Sequence, residues 1–351
     1  MNKLDALDVI VIGAGIIGVS ISLELRRRGL EVLVLDRGEP GGEASSAGAG
    51  MLAATEVDGP PQLREFARQS ALLFPAFVRA AESDSGLSID FNRHGAICLG
   101  DEPCQSGQRL TDAQLVALEP SLAASSLPAW FLTEDFVDPR TLMPALIESA
   151  RRLGVHIHSG SEVATLMNDD AKVLGVLTSR TEFRAPRVIN CCGAWSSAFS
   201  PEIPVRPVKG HMVSLIPARP HPIRHVLRYR EADVYLVPRR DGHIVVGSTV
   251  EEAGFDKRVD PDIINRLHQL AADILPELGE ARIHQSWAGL RPCTPDRLPI
   301  LGPGPLSGYF LATGHFRNGI LLAPATAMAM ADLVTGAKPR IDLSPFSPAR
   351  F

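Results

Sequence analysis

The chain has 351 residues, 45% of them hydrophobic and 21% charged, enough to bury a large core and to divide into two compact units. Its net charge of −5 excludes the basic footprint of a nucleic-acid binder or of a protein drawn to an anionic membrane surface. The five cysteines, Cys98, Cys104, Cys191, Cys192 and Cys293, form no Cys-x-x-Cys pair, which argues against a disulfide framework or zinc knuckle and for a reducing cytoplasm.

No basic segment followed by a long apolar run opens the chain, so neither a signal peptide nor a membrane span is expected. Val9 to Ile12 reads as a strand buried on both faces. Gly13, Gly15 and Gly18 then open a helix expected to reach about Arg28, with Gly29 as its stop. A second strand, Glu31 to Leu35, ends in Asp36, about 20 residues beyond the glycines, where a carboxylate can accept both hydroxyls of an adenosine ribose. In such a βαβ unit the first glycine permits the turn, the second admits a pyrophosphate, and the third lets helix and strand pack closely. Asp36 disfavours NADP, whose 2′-phosphate would face its charge, although the adjacent Arg37 softens that. Arg26, Arg27 and Arg28 read as cations at a helix C-terminus.

The motif leaves NAD and FAD both open. The next segment, Gly41 to Met51, is rich in glycine, alanine and serine, so its backbone amides can crowd against a large polar group such as a flavin; a flexible surface loop is the alternative. Helices are expected over Pro61 to Ala81, Pro139 to Leu153, Pro261 to Leu275 and Ala323 to Val334. His156-x-His158 has metal-like spacing but no third ligand, so both histidines read as strand-face residues. Cys191 and Cys192 read as small core residues. Val188 to Gly193 and Tyr309 to Gly314 are apolar strands ending in glycine, expected to return to the first sheet. Residues 87–137 and 205–285 contain runs such as Val213 to Ile216 and His243 to Val246, bounded by proline and glycine, that suggest an antiparallel sheet. The expected fold is therefore α/β, with a discontinuous Rossmann-like cofactor domain over 1–86, 138–204 and 286–351. A second domain, over 87–137 and 205–285, is expected on a mainly antiparallel sheet.

Six segments then make a more specific pattern: Ala44 to Leu52, Pro207 to Gly210, Tyr235 to Arg239, Val245 to Thr249, Trp287 to Pro292 and Gly314 to Thr326. On these the chain resembles the D-amino-acid oxidase family of FAD-dependent oxidoreductases, and most closely its thiamine-pathway glycine oxidase branch. The resemblance spans nearly the whole chain. It implies that Gly13, Gly15, Ile16, Ile17 and Gly18 lie at the pyrophosphate, Asp36 and Arg37 at the adenosine ribose, and the backbone of Val163 at the adenine. Ala44, Ser45, Ala49, Gly50 and Met51 would run along the flavin. Gly314, His315, Phe316, Arg317, Asn318, Gly319, Ile320 and Leu321 would wrap the isoalloxazine. Arg291, Arg317 and Tyr235 match substrate-contacting residues. The FAD is expected to be non-covalent, because Cys293 does not match the attachment motif of related sarcosine oxidases. Val250 and His211 depart from the residues expected at those positions and are candidates to reshape the pocket or its entrance.

The implied reaction is oxidation of glycine, and of sarcosine or small D-amino acids, to the 2-oxo acid, ammonia and hydrogen peroxide, with molecular oxygen as acceptor. A guanidinium fork holds a carboxylate by two parallel hydrogen bonds and so fixes Cα, and no general base is required. Structural alternatives remain for each anchor: Arg291 paired with Asp296 or Glu280, Arg317 on loop carbonyls, Tyr235 as an ordinary half-buried aromatic. A D-amino-acid dehydrogenase serving a quinone, a non-catalytic flavoprotein subunit and an NAD-dependent dehydrogenase are the rival functions. A homo-oligomer is expected.

Overall fold

Val9–Ile12 and Val32–Leu35 are fully buried, as two-sided apolar runs require, and pair in parallel with the helix Ile16–Arg27 crossing between them. The computed structural model describes residues 7–351 apart from positions 103, 105 and 221. Both late strands do return: the sheet runs Ile300–Pro303, Tyr309–Thr313, Val188–Asn190, Val9–Ile12, Val32–Leu35, His156–His158. Only its first pair is antiparallel.

One face of this sheet is covered by helices Ile16–Arg27, Pro61–Ser85, Pro139–Arg152 and Gly319–Val334, whose apolar side chains share one core. The other face packs on a three-stranded antiparallel sheet, Val163–Asn168, Val173–Thr178 and Glu182–Arg184. Arg26 bonds the Leu153 carbonyl and Glu31, Arg27 pairs with Asp84, and Arg28 with Asp332, so these cations also tie neighbouring elements together.

Two helices differ from expectation. Pro61–Ser85 continues past Ala81 because its stop is Gly86, at φ 72°, whose N–H caps the Glu82 carbonyl. The last helix begins at Gly319 and not Ala323, because the preceding turn, Phe316–Asn318, is already a 3₁₀ helix that feeds into it.

The second sheet has eight strands, in the order Arg282–Cys293, Arg206–Ile216, Ile244–Gly247, Val234–Pro238, Val226–Tyr229, Ala96–Leu99, Ala129–Leu132, Gln108–Arg109. It is antiparallel except where Val226–Tyr229 meets Ala96–Leu99, the seam that joins the two separate stretches of chain. The strand Arg282–Cys293 runs through position 286, where the sequence suggested a boundary, and pairs with Arg206–Ile216 throughout its length. Helix Pro261–Ile274 buries Ile264, Leu267, Ala271 and Ile274 against one face of this sheet. The opposite face carries Met212, Tyr235 and Trp287, which pack with Ala49 and Met51 from the first half of the chain. No described helix is long and apolar enough to cross a membrane.

Candidate functional site

At the end of the first strand Gly13 turns the chain with φ 103°, a conformation that L side chains rarely adopt. The helix that follows has no side-chain cap of its own. Its free N–H groups are partly met from outside, since Ser45 Oγ accepts from Ile16 N at 2.9 Å. Asp36 Oδ2 accepts from Ala14 N at 2.7 Å and Oδ1 from Gly38 N at 2.8 Å, which ties the second strand to the glycine turn. Each carboxylate oxygen has a second lone pair left for a ligand hydroxyl.

Gly13, Ile16, Asp36 and Ser45 line a cavity of about 540 Å³, together with Ile17, Ala44, Val163, Trp195, His315 and Phe316. That size suits a large cofactor. Arg37 lies over the Trp195 ring, 3.9 Å from its centroid, and Trp195 stacks on Phe255 at 5.2 Å. Cys192 also faces this cavity. Burial pushes both the Cys191 and Cys192 thiols up, and Cys191 is buried, as expected of core residues. Cys293 is buried, donates to the Thr294 carbonyl and does not line the cavity. His156 and His158 sit on the edge strand beside Val32–Leu35, where His158 packs edge-on to Phe183.

The Gly41 to Met51 segment is ordered as a helical turn, Ala44–Ala47, followed by the short strand Met51–Leu52. The Ala47 carbonyl accepts from Trp287 Nε1 at 3.0 Å, and buried Arg239 donates Nη2 to the Ala49 carbonyl at 2.7 Å. Ala49, Gly50 and Met51 line a second cavity of about 180 Å³. It shares Ala44, Gly48, Arg291, Arg317 and Ile320 with the larger one. Tyr235 faces the smaller cavity, with its hydroxyl 3.5 Å from Met212 Sδ.

Arg291 therefore stands where the two cavities meet. Its Nη1 donates to the Thr249 carbonyl at 3.0 Å and the Lys209 carbonyl at 3.3 Å, and Nη2 donates to Ser248 Oγ at 2.7 Å. A guanidinium has five N–H donors, so one on Nη2 and the one on Nε have no partner among the described residues. Nε–H lies on the same edge as Nη2, the edge with which a guanidinium holds a carboxylate side-on. Neither Asp296 nor Glu280 pairs with it; Asp296 is taken by Arg350. Burial pushes the Arg291 pKa down, with Arg317 adding to the effect against opposing pulls from Tyr235, Asp233 and Glu251. The guanidinium lies directly against Gly210, where an added Cβ would stand 2.5 Å from Cζ.

Arg317 bonds Asp233 at 3.2 Å and not loop carbonyls, with both side chains well exposed. His315 is 3% exposed, its Nε2 is 3.2 Å from Thr326 Oγ1, and burial pushes its pKa down to about 3. Gly18, Gly314, Asn318 and Leu321 line neither cavity. Val250 is exposed and His211 is buried, held by Glu251 Oε1 at 2.7 Å and the Asp260 N–H at 3.1 Å; neither lines either of these two cavities. Sequence reasoning missed Trp195, Ser248, Gly210 and Arg228 as cavity residues. For Gly210 and Trp195 a signal was there, in their places after strand-like runs.

The chain matches the FAD dependent oxidoreductase (DAO) family over residues 8–333. It is 35% identical to a glycine oxidase of Pseudomonas aeruginosa, covering 97% of this chain and 98% of that protein. It is 36% identical to the bifunctional protein ThiO/ThiG of Synechocystis sp., over 98% of this chain but 54% of that longer protein. The crystal structure of glycine oxidase from Geobacillus kaustophilus superposes with a TM-score of 0.92 at 31% identity, covering 98% of each chain.

Proposed function

The chain belongs to the DAO family of FAD-dependent oxidoreductases, and we propose that it oxidises glycine and other small amines, releasing the 2-oxo acid and ammonia. The observation that carries this reading is the fork of Arg291, free on its outer edge, at the junction of a dinucleotide-sized cavity and a much smaller one. FAD, when bound, takes up the hydride that leaves the substrate Cα, so the protein's own task is binding and orientation.

In this reading the Ile16 end of the glycine turn meets the pyrophosphate, Asp36 receives ribose hydroxyls, and the surface near Val163 meets the adenine. Arg291 holds the carboxylate and Tyr235 lies on the same wall of the smaller cavity. Arg317, paired with Asp233 and common to both cavities, supplies a second cation at the mouth. With the carboxylate fixed, Cα turns toward the larger cavity. The substrate amine sheds its proton to solvent before hydride leaves, and no side chain is assigned as base. Residues 1–86, 138–204 and 286–351 serve the cofactor and the eight-stranded sheet serves the substrate, with the strand Arg282–Cys293 bridging the two. Molecular oxygen is the electron acceptor, giving hydrogen peroxide. The likeness to ThiO/ThiG supports a place in thiamine thiazole synthesis, the oxidised glycine being the useful product.

Anaerobic glycine added to the purified yellow protein should bleach the flavin absorbance, and air should restore it with one peroxide per turnover. Bleaching without reoxidation by air, but with turnover on a quinone, would make the protein a dehydrogenase. A protein that glycine, sarcosine and D-alanine all fail to bleach would refute the proposal.

A further inference from the structure

The direction of the Arg291 guanidinium is set by three acceptors: the carbonyls of Lys209 and Thr249 and the hydroxyl of Ser248. Ser248 and Thr249 belong to the segment 248–251, which follows the strand Ile244–Gly247 and docks onto Arg206–Ile216 through an isolated bridge. There the Lys209 N–H donates to the Glu251 carbonyl at 2.9 Å, and the Glu251 N–H to the Lys209 carbonyl at 3.0 Å.

A buried side chain with no part in the chemistry holds that segment. Alternation along Arg206–Ile216 turns Gly210 and Met212 to the smaller cavity and His211 to the opposite face, where helix Pro261–Ile274 begins. His211 is fully buried. Its Nε2 lies 3.1 Å from Asp260 N, and a backbone N–H only donates, so Nε2 is an acceptor and the ring proton sits on Nδ1. From Nδ1 the proton is donated to Glu251 Oε1 at 2.7 Å. The same carboxylate oxygen accepts from Thr249 Oγ1, which in turn accepts from the His211 N–H at 2.9 Å. His211, Thr249 and Glu251 thus close a ring of hydrogen bonds, and the carbonyl of Thr249 on that ring receives Arg291 Nη1.

We propose that His211 is a positioning residue of the carboxylate clamp: through Glu251 and Thr249 it fixes the acceptors of Arg291, and with them the direction of the free guanidinium edge. This rests on Arg291 being the substrate anchor. His211 lines neither cavity, so its replacement changes the aim of the clamp and not its charge. An anchor misplaced by about 1 Å can cost about a hundredfold in rate.

The test uses the FAD-loaded enzyme, with glycine as substrate and acetate as a carboxylate that cannot be oxidised. His211→Asn puts an amide N–H where Nδ1 stood and keeps the bond to Glu251. His211→Gln reaches the Nε2 position and keeps only the tie to Asp260. His211→Gln should raise both the acetate dissociation constant, read from the flavin absorbance, and the glycine KM by about tenfold, with kcat within about threefold. His211→Asn should stay within about threefold of wild type in all of these. A Gln variant that binds acetate as wild type does, or that loses no more affinity than the Asn variant, overturns the proposal, since a residue that only secures the helix would behave so. If neither variant folds, Thr249→Val decides, because it deletes the hydroxyl link and leaves the carbonyl: acetate should weaken about tenfold, and unchanged acetate binding overturns the proposal. A wild type that binds acetate but oxidises no amine would defeat the oxidase reading and leave the positioning role to stand on the acetate titrations.

Discussion

Replacing Arg291 with alanine removes the only guanidinium among the described residues that faces both cavities without an ion-paired acid. Two charge-assisted hydrogen bonds to a carboxylate in a half-buried site are worth about 2–5 kcal/mol. At about 1.4 kcal/mol per factor of ten, kcat/KM for glycine should fall about 30- to 4000-fold. The loss should appear mainly as a raised KM. The groups left behind are Ser248 Oγ, which borders the smaller cavity, and the carbonyls of Lys209 and Thr249, and flavin binding should survive. Arg291→Lys should recover only part of the loss, because an ammonium supplies charge without the planar fork. Initial rates by peroxide release across a glycine series, with the flavin spectrum of the same sample as a loading control, make the measurement. A flavin-loaded Arg291→Ala enzyme with unchanged KM would remove Arg291 from the site and refute the carboxylate clamp.

Gly210→Ala should displace the Arg291 guanidinium, since the added Cβ falls within its van der Waals radius; KM for glycine should rise at least about tenfold with flavin content intact, and an unaltered KM would show that the guanidinium is free to move. Asp36→Ala leaves the Ala14 and Gly38 N–H groups without acceptors and removes the proposed ribose contact, so FAD affinity should fall by about 2–4 kcal/mol, read by flavin retained after dialysis. His315 has a folded pKa depressed from 6.5 to about 3, so the folded state stays neutral while the unfolded chain takes up a proton below about pH 6.5. Its contribution is therefore complete above pH 6.5 and is lost as pH falls toward 3, about 2 kcal/mol being gone at pH 5. His315→Gln should lose less stability between pH 7 and pH 5 in urea titrations than wild type does; equal losses would contradict the assignment.

What the sequence made legible follows from the range of the interactions involved. The parallel strands and glycine turn are local signals: four consecutive apolar residues, then glycines at fixed offsets, then an acid. The later strands of the same sheet, at Val188 and Tyr309, were legible for the same reason. Helix ends were less so, because Gly86 and the 3₁₀ turn at Phe316–Asn318 act within single residues of the boundary. The extent of Arg282–Cys293 was hidden because its first half is exposed and its second half faces a cavity, so no steady alternation marks it.

The surroundings of the anchors were the least legible part, and the reason is physical. Arg291 could be singled out from its motif, but Ser248, Thr249 and Lys209 reach it only through strand pairing across sequence separations of 42 or more. Ser45 completes the helix N-terminus from 29 residues away, which no local pattern announces. Arg228 joins the wall of the smaller cavity because the register sets it opposite Tyr235. Local sequence thus identifies a charge, whereas its lack of a counter-ion is a property of the folded neighbourhood. That difference separates Arg291 from Arg27 and Arg350, whose acids lie beside them. A cation whose burial is not balanced within the protein holds binding free energy in reserve for an anion from outside.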